Sequence, residues 1–213
     1  MKLLITLLTF VSLTFISVGQ DAKSQAILDA LSSKMKTQRS FYMEFNANIK
    51  NSSTGTNESE TGKGWVKSNK YYASFGDNTI ISNGLKTWTI VKEEKSVYES
   101  DADEEDEESI NPRKLMTIWE TGFNNKYNKE ITLNSEATHV IYLYPKTPGN
   151  VDYHTIILYI SKEKNELKKV TMKTKDGTSV TYSLTKFTSD ATIADSKFVF
   201  DSKKYPGYNV IRD

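Results

Sequence analysis

Cysteine is absent from this sequence of 213 residues, and histidine occurs only twice. Without cysteine the chain cannot form disulfides, thiolate zinc sites or a cysteine nucleophile. Two histidines leave little room for histidine-based catalysis or for a metal site built from imidazoles. The 28 Lys and Arg residues nearly balance the 27 Asp and Glu residues, which excludes a strongly basic nucleic-acid-binding protein. The composition therefore favours a binding or structural role over catalysis, and the length suits a single domain.

Catalytic motifs are also missing. No G-x-S-x-G nucleophile elbow occurs, and Gly62 to Gly64 lacks the rest of a phosphate-binding loop. His139 and His154 lie on separate predicted strands, and neither has a carboxylate partner nearby in the sequence. A carboxylate pair brought together by the fold remains an alternative, because spatial pairing is invisible in sequence. We therefore expect no enzymatic activity, no cofactor, no bound metal and no nucleic-acid partner.

The N-terminus has the pattern of an export signal. The positive charge of Lys2 precedes an uncharged, largely apolar stretch from Leu3 to Val18. This stretch is short and diluted by Thr and Ser, unlike a membrane span. It ends in Ser17-Val18-Gly19, with small residues at the positions that a signal peptidase recognises. We therefore predict a signal peptide over residues 1–19, cleavage before Gln20, and one exported domain over residues 20–213; the alternative is a buried first helix.

The charges are distributed unevenly along the chain. Eight of the 27 carboxylates lie in the acidic segment Glu99 to Glu108, which reads ESDADEEDEE. Without Lys2 and this segment, 27 basic residues face 19 acidic ones, a net charge of +8. A calcium-binding EF-hand loop starting at Asp101 would need Gly and Glu where this sequence has Asp106 and Pro112. We interpret the segment as a solvated loop, with a docking patch for a basic partner as the alternative.

The hydrophobic pattern predicts one helix followed mostly by strands. Asp21 is a suitable N-cap for a helix over Ala22 to Arg39, and from Ser40 onward apolar residues alternate with polar ones as in a half-buried strand. The polar stretch Asn51 to Gly62 is predicted as a long hairpin loop, and Asn111-Pro112 begins a second helix over Arg113 to Glu120. Further strands are predicted over Gly64–Lys67, Lys70–Phe75, Thr79–Ser82, Lys86–Val91, Ser96–Glu99, Lys126–Leu133, Thr138–Tyr144, Tyr153–Ser161, Leu167–Thr174 and Thr178–Phe187.

This order of elements is mainly β with α, an α+β fold. Strands that follow one another at hairpin spacing, without intervening helices, predict an antiparallel sheet rather than a doubly wound parallel one. About eleven short strands and two helices predict a curved, barrel-like sheet covered by helices. No linker or internal repeat divides the chain.

The second predicted helix carries more apolar surface than a short helix needs for docking on a sheet. Leu115, Met116, Ile118 and Trp119 surround much of its circumference. Such a helix could be a lid over an apolar ligand, and simple core packing is an equally weighted alternative. If Trp119 belongs to a lid, we expect Trp119→Glu to impair ligand binding more than stability.

Several motifs together resemble the LolA family, the periplasmic carriers of outer-membrane lipoproteins, in a version similar to that of Bacteroidetes. The resemblance covers roughly Asp21 to Tyr208. Its motifs are D-A-K-S-Q-A-I-L-D-A-L from Asp21, S-F-Y-M-E-F from Ser40, G-W-V-K from Gly64, I-I-S-N-G-L-K-T-W from Ile80, N-P-R-K-L-M-T-I-W from Asn111 and D-S-K-F-V-F from Asp195.

The resemblance implies an unclosed antiparallel β-barrel with a helical lid over an apolar cavity for acyl chains. It also implies lipoprotein or lipid cargo, an inner-membrane release transporter and an outer-membrane acceptor, and we expect a monomer. A lipid-binding sensor or interaction module on the same fold is one alternative, and an enzyme on a borrowed scaffold is another.

One position departs from the family pattern. The family has an Arg that holds the lid shut in W-V-K-R-P, and this sequence has Ser68 there. Lid closure must therefore use other groups, or the cavity stays open more often. The candidate cavity residues are Met43, Phe45, Trp65, Tyr72, Ile80, Trp88 and Ile90 on strands, with Leu115, Met116 and Trp119 from the lid. Their common face depends on strand register, since a shift of one residue exchanges the two faces.

Overall fold

A computed structural model describes residues 21–102 and 117–212. The one α-helix in these ranges, α1, covers Ala22–Thr37, and 3-10 turns cover Ile118–Glu120, Pro148–Asn150, Asp195–Phe198 and Ser202–Lys204. The strands are β1 (Ser40–Asn51), β2 (Thr56–Lys67), β3 (Lys70–Phe75), β4 (Asn78–Ser82), β5 (Lys86–Val91), β6 (Ser96–Asp101), β7 (Phe123–Leu133), β8 (Glu136–Pro145), β9 (Tyr153–Ser161), β10 (Leu167–Thr174), β11 (Thr178–Ser189) and β12 (Asn209–Arg212).

All twelve strands belong to a single sheet in the order β12-β6-β5-β4-β3-β2-β1-β11-β10-β9-β8-β7. Every neighbouring pair is antiparallel except β12 and β6, which are parallel. The two ends of the sheet, β12 and β7, do not pair with each other, so the barrel is unclosed. The predicted fold class is thereby confirmed, with twelve strands in place of about eleven.

The helix α1 begins where the sequence predicts. The Asp21 carboxylate accepts hydrogen bonds from the backbone N–H groups of Lys23 and Ser24, at 3.0 and 3.3 Å. It also accepts from the N–H of Tyr127 in β7, at 3.0 Å, and this bond lowers the pKa of Asp21. One carboxylate therefore caps the helix and fixes its start to an edge strand of the sheet.

The prediction of a long loop over Asn51 to Gly62 is wrong. Strand β2 begins at Thr56, so the β1–β2 connection is only Ser52 to Gly55. The polar residues Glu58 and Glu60 pair in register with Ile49 and Ala47 of β1. Backbone hydrogen bonds to a long partner strand stabilise this segment although its side chains lack the apolar alternation of a strand.

The first half of the second predicted helix, residues 113–116 with Leu115 and Met116, lies outside the described residues. Of its described residues, Ile118–Glu120 form a 3-10 turn that follows Thr117. The predicted signal peptide and residues 103–108 of the acidic segment also lie outside the described ranges. No helix within the described residues has the length and apolar character needed to cross a membrane.

Two separate hydrophobic clusters pack on the sheet. The larger lies under α1 and includes Leu28, Leu31 and Met35 of the helix together with Trp119 and buried residues of β1–β3 and β7–β10. The smaller contains Ile81, Ile90 and Val97, and residues of the C-terminal segment pack against it. The sheet is therefore covered on one face by α1 and on part of the other by the C-terminal segment.

Candidate functional site

Strand register assigns each residue of the sheet to one of two faces. Paired residues on adjacent strands project to the same face. Phe41, Val66 and Tyr71 are aligned in register and belong to the cluster under α1, so they define the inner face. Trp65 is aligned with Tyr42 and Tyr72 and lies on the opposite, outer face.

The register divides the candidate cavity residues between these faces. Met43, Phe45 and Ile80 lie on the inner face, and Trp119 packs in the same cluster. The expectation of a single wall is wrong for the remaining strand residues, which lie on the outer face: Trp65, Tyr72, Trp88 and Ile90. Apolar residues occur at both parities because both faces are covered, so alternation alone does not distinguish them.

The outer aromatic residues are packed by the C-terminal segment of the chain. The ring of Phe200 stacks on Trp88 with centroids 5.9 Å apart. The Lys197 ammonium lies 3.8 Å from the ring centroids of both Trp65 and Tyr72, and burial lowers the pKa of Lys197. These contacts give the outer aromatic residues a structural role in holding the C-terminal segment.

Ser68, at the position where the resemblance implies a lid-holding Arg, occupies the tight turn between β2 and β3 with φ 56°. The lysines on either side of this turn, Lys67 and Lys70, form ion pairs with Asp195 at 2.9 and 3.6 Å. The Lys67 ammonium also donates to the carbonyl of Ile193 at 3.1 Å. This corner of the sheet therefore holds the C-terminal segment.

The inner face continues beyond the buried cluster as a row of half-buried apolar side chains. We call this row the apolar strip. Phe45 is at its centre, with ring centroids 6.0 Å from Phe75 and 5.9 Å from Tyr182. Burial raises the pKa of Tyr182, so its phenol is neutral at ordinary pH. The apolar strip consists of Phe45, Phe75, Ile80, Val170, Met172, Tyr182 and Leu184.

Glycines form the floor beneath part of this strip. Gly62 pairs with Phe45 and Gly64 with Met43 on the inner face of β2. A Cβ atom at Gly62 would lie 2.2 Å from the Phe45 ring, so the ring rests directly on the backbone. The absence of a side chain at Gly62 lets the Phe45 ring lie close to the sheet on the inner face. Sequence reasoning missed Gly62, although a glycine within a strand is a signal of close approach.

Polar contacts fix α1 over one half of the inner face. Near its start, the Ser24 hydroxyl hydrogen-bonds to the Asn125 side chain of β7. Near its end, the Lys34 ammonium lies 3.0 Å from the Glu166 carboxylate. Burial raises the pKa of Glu166, but hydrogen bonds from Lys34 and Lys168 outweigh it and lower the pKa overall. The helix is therefore anchored at both ends.

A cleft beside α1 has a volume of only about 10 Å³. Ligand pockets for small molecules have volumes of a few hundred Å³. The cleft is thus too small for an acyl chain. It is lined by Lys34, Met35, Gln38, Asn165, Glu166, Leu167 and Phe187.

The two histidines do not form a catalytic group. His139 lies 3.4 Å from the Tyr127 hydroxyl, and burial lowers its pKa. His154 hydrogen-bonds to the adjacent Thr155 at 2.8 Å. Within residues 21–102 and 117–212, no group of three His, Asp or Glu side chains is arranged to hold a metal ion.

The chain is similar to a known protein family and to several solved structures. The family model described as outer membrane lipoprotein carrier protein LolA matches residues 37–201. An uncharacterized conserved protein from Thermus thermophilus is similar in structure, with a TM-score of 0.59, 10% identity, and coverage of 90% of this chain and 99% of that one. At this identity the likeness concerns the fold alone. No curated protein matches the chain.

Further solved structures match at lower TM-scores. A putative outer membrane lipoprotein-sorting protein domain from Vibrio parahaemolyticus has a TM-score of 0.46 and 11% identity, over 84% of this chain and 97% of that one. LprF from Mycobacterium bovis has a TM-score of 0.48 and 14% identity, over 83% of this chain and 98% of that one.

Proposed function

Because this chain belongs to the LolA family of outer-membrane lipoprotein carriers, we propose that it binds the acyl chains of lipoproteins on the apolar strip and carries them from the inner to the outer membrane. The predicted signal peptide supports a periplasmic location. An inner-membrane transporter would load the carrier and an outer-membrane acceptor would unload it, with the carrier acting as a monomer and without a cofactor.

The need for such a carrier follows from the hydrophobic effect. A lipoprotein with three acyl chains exposes on the order of 40 methylene groups, each contributing about 0.8 kcal/mol when removed from water. Free diffusion across an aqueous compartment is therefore excluded unless another surface covers the chains. Transfer onward needs only an acceptor that binds the cargo more tightly, which requires no nucleotide.

The observation that carries the proposal is the position of the apolar strip. Its residues share the face of the sheet that packs against α1, and they are only half-buried although they are apolar. Met172 and the rings of Phe45 and Phe75 can adapt to acyl chains of different shape. At Gly62 the Phe45 ring lies directly on the β2 backbone, which places it at the base of the strip. A strip of this kind suits flexible apolar chains rather than a polar ligand.

The proposal is tested by replacing one half-buried aromatic residue on each face of the sheet by Gln. Phe45→Gln on the inner face should weaken binding of a fluorescent acyl-chain probe by about 10- to 100-fold, since one buried Phe contributes about 1.5–3 kcal/mol. Trp88→Gln on the outer face is the matched control and should leave probe affinity within about twofold. Both variants are first checked for folding by circular dichroism.

Mass spectrometry of gently purified protein should also find lipid or lipopeptide bound to the wild type and less on Phe45→Gln. Equal probe affinity in the two variants would contradict the inner-face site. The carrier role itself is measured by transfer of a triacylated lipopeptide between donor and acceptor vesicles. A protein that binds the lipopeptide but does not accelerate transfer would be a lipid-binding module and not a carrier.

A further inference from the structure

A group of lysines shares the outer face of the sheet between β2 and β7. Lys63 of β2 is aligned with Glu44 of β1, and Glu44 is aligned with Lys186 of β11, so these three side chains project to the same face. Lys169 and Lys173 of β10 lie on this face too, because they are aligned with outer-face residues of β11 and β9. We call this group the lysine face; its members are Lys50, Lys63, Lys126, Lys129, Lys169, Lys173 and Lys186.

Lysines of this face differ from most other lysines of the sheet in having no carboxylate partner. None of the seven forms an ion pair within the described part of the chain, whereas lysines elsewhere pair with Asp77, Asp101, Glu130, Glu166 and Asp195. Among the lysines on the described strands, those without an ion pair therefore all lie on one surface. Since like charges repel, such a concentration is not explained by stability and favours an anionic ligand.

The carboxylates on the same face of these strands are already engaged. Glu44 accepts a hydrogen bond of 2.6 Å from the Tyr42 hydroxyl, and Glu136 pairs with Lys168 at 3.2 Å. Partial burial and the bond to Glu44 raise the pKa of Tyr42 to about 12, so the tyrosine stays neutral. The lysine face therefore keeps an excess of positive charge at physiological pH.

Aromatic rings support some of these lysines. The Lys169 ammonium lies 3.9 Å from the centroid of the Tyr159 ring, and the Lys186 ammonium lies 5.5 Å from that of Tyr42. Such contacts restrict the long side chains, which lowers the entropy lost when an anion binds.

We propose that the lysine face binds an extended acidic polypeptide segment of a partner protein. The face crosses seven strands spaced about 4.8 Å apart, or roughly 29 Å, which an extended segment of about nine residues spans at about 3.3 Å per residue. The surface is the outside of an unclosed barrel, so a flexible chain can follow its curvature, whereas a flat membrane would contact only part of it.

The position of the face also favours a protein partner over a membrane. If the apolar strip holds the acyl chains, as proposed above, binding on the opposite face leaves the cargo free to move to an acceptor. The exposed aliphatic residues Leu85, Val199 and Ile211 lie outside this face. The lysine face therefore offers charge without an exposed aliphatic side chain that would insert into a bilayer, and its exposed Tyr144 ring carries a polar hydroxyl.

The test uses a fluorescein-labelled peptide of ten glutamates, with a peptide of ten glutamines as the uncharged control. Binding to the full mature protein is measured by fluorescence anisotropy at increasing NaCl. The wild type should bind the glutamate peptide with an affinity that falls with salt, and it should not bind the control. Replacing Lys126, Lys129, Lys169 and Lys173 by Gln should weaken binding about tenfold or more.

A second variant controls for net charge by replacing four lysines outside the strands, in loops and turns, by Gln: Lys92, Lys95, Lys146 and Lys175. It should bind the glutamate peptide within about twofold of the wild type. An equal loss in both variants would overturn the proposal, because binding would then depend on net charge alone.

Vesicles containing phosphatidylglycerol distinguish the membrane from the polypeptide. Sedimentation with these vesicles but no binding of the glutamate peptide would overturn the proposal in favour of a membrane surface. Acyl-probe affinity is measured on the same lysine variant and should be unchanged. Loss of peptide binding with intact acyl-probe binding supports the lysine face whether or not the carrier role holds, so the two proposals can fail separately.

Discussion

Trp119 is packed in the core of this structure, which favours core packing over a lid as the role of this residue. Only 4% of the residue is exposed, and its indole packs in the cluster with Leu28, Leu31 and Met35 of α1. The indole N–H donates to the Ser32 hydroxyl at 2.8 Å, and Ser32 is itself buried. Trp119→Ala should therefore lower the free energy of unfolding by about 3–5 kcal/mol.

Two further variants separate packing from hydrogen bonding at this site. Trp119→Phe keeps much of the apolar volume and leaves the Ser32 hydroxyl without its donor, at a cost of about 1–3 kcal/mol. Ser32→Ala leaves the indole N–H buried without an acceptor, at a similar cost. The double variant should cost less than the sum of the two, since it removes both partners at once.

Urea unfolding followed by circular dichroism measures these changes without relying on tryptophan fluorescence. With a denaturant slope of about 1–3 kcal/mol per molar urea, Trp119→Ala should lower the midpoint by about 1 M or more. A variant with an unchanged midpoint and weakened acyl-probe binding would refute the reasoning. Trp119 would then belong to the cargo site and not to the core.

Three other predictions concern separate parts of the fold. Gly62→Ala should destabilise by about 1–3 kcal/mol in urea unfolding, because its Cβ would meet the Phe45 ring, and the loss should shrink in a Phe45→Ala background. Asp21→Asn should be less stable than the wild type at pH 7. Because the folded-state pKa of Asp21 is lowered, this difference in stability should persist above about pH 4 and disappear as the pH falls through the folded-state pKa. A difference in stability that stays constant in acid would contradict this reasoning. Phe200→Ala removes the ring stacked on Trp88 and Tyr205 and should cost about 1–3 kcal/mol without changing acyl-probe affinity.

Local sequence signals predicted most elements of the sheet because turn chemistry marks their ends. Asn83-Gly84 and Asp176-Gly177 lie in turns of the structure, and the strand bounds Lys86–Val91 and Tyr153–Ser161 are confirmed. The first half of β2 could not be predicted in this way. Its residues are polar on both faces, and only pairing with β1 makes the segment a strand.

The division of apolar residues between two faces was harder to predict. Ile80 and Ile81 are consecutive, yet the first belongs to the apolar strip and the second to the outer cluster. Alternation identifies a buried face only where the other face is solvated. The C-terminal segment covers part of the outer face with residues distant in sequence, such as Phe200 and Tyr208. The alternation of apolar and polar residues along these strands therefore could not show which side chains face α1.

The join between β1 and β11 has a consequence for how the chain folds. Strands β1 to β6 and β7 to β11 are two runs of neighbouring hairpins, and in the sheet they are joined by the pairing of β1 with β11, from Phe41 with Ser189 to Asn51 with Thr178. Each run can form from local contacts, but the sheet that carries the apolar strip is complete only when partners separated by most of the chain come together. Such long loop closure is slow. Until then each run presents an unpaired edge strand and half of the apolar surface, so the incompletely folded chain is prone to aggregation until its own apolar strip has formed.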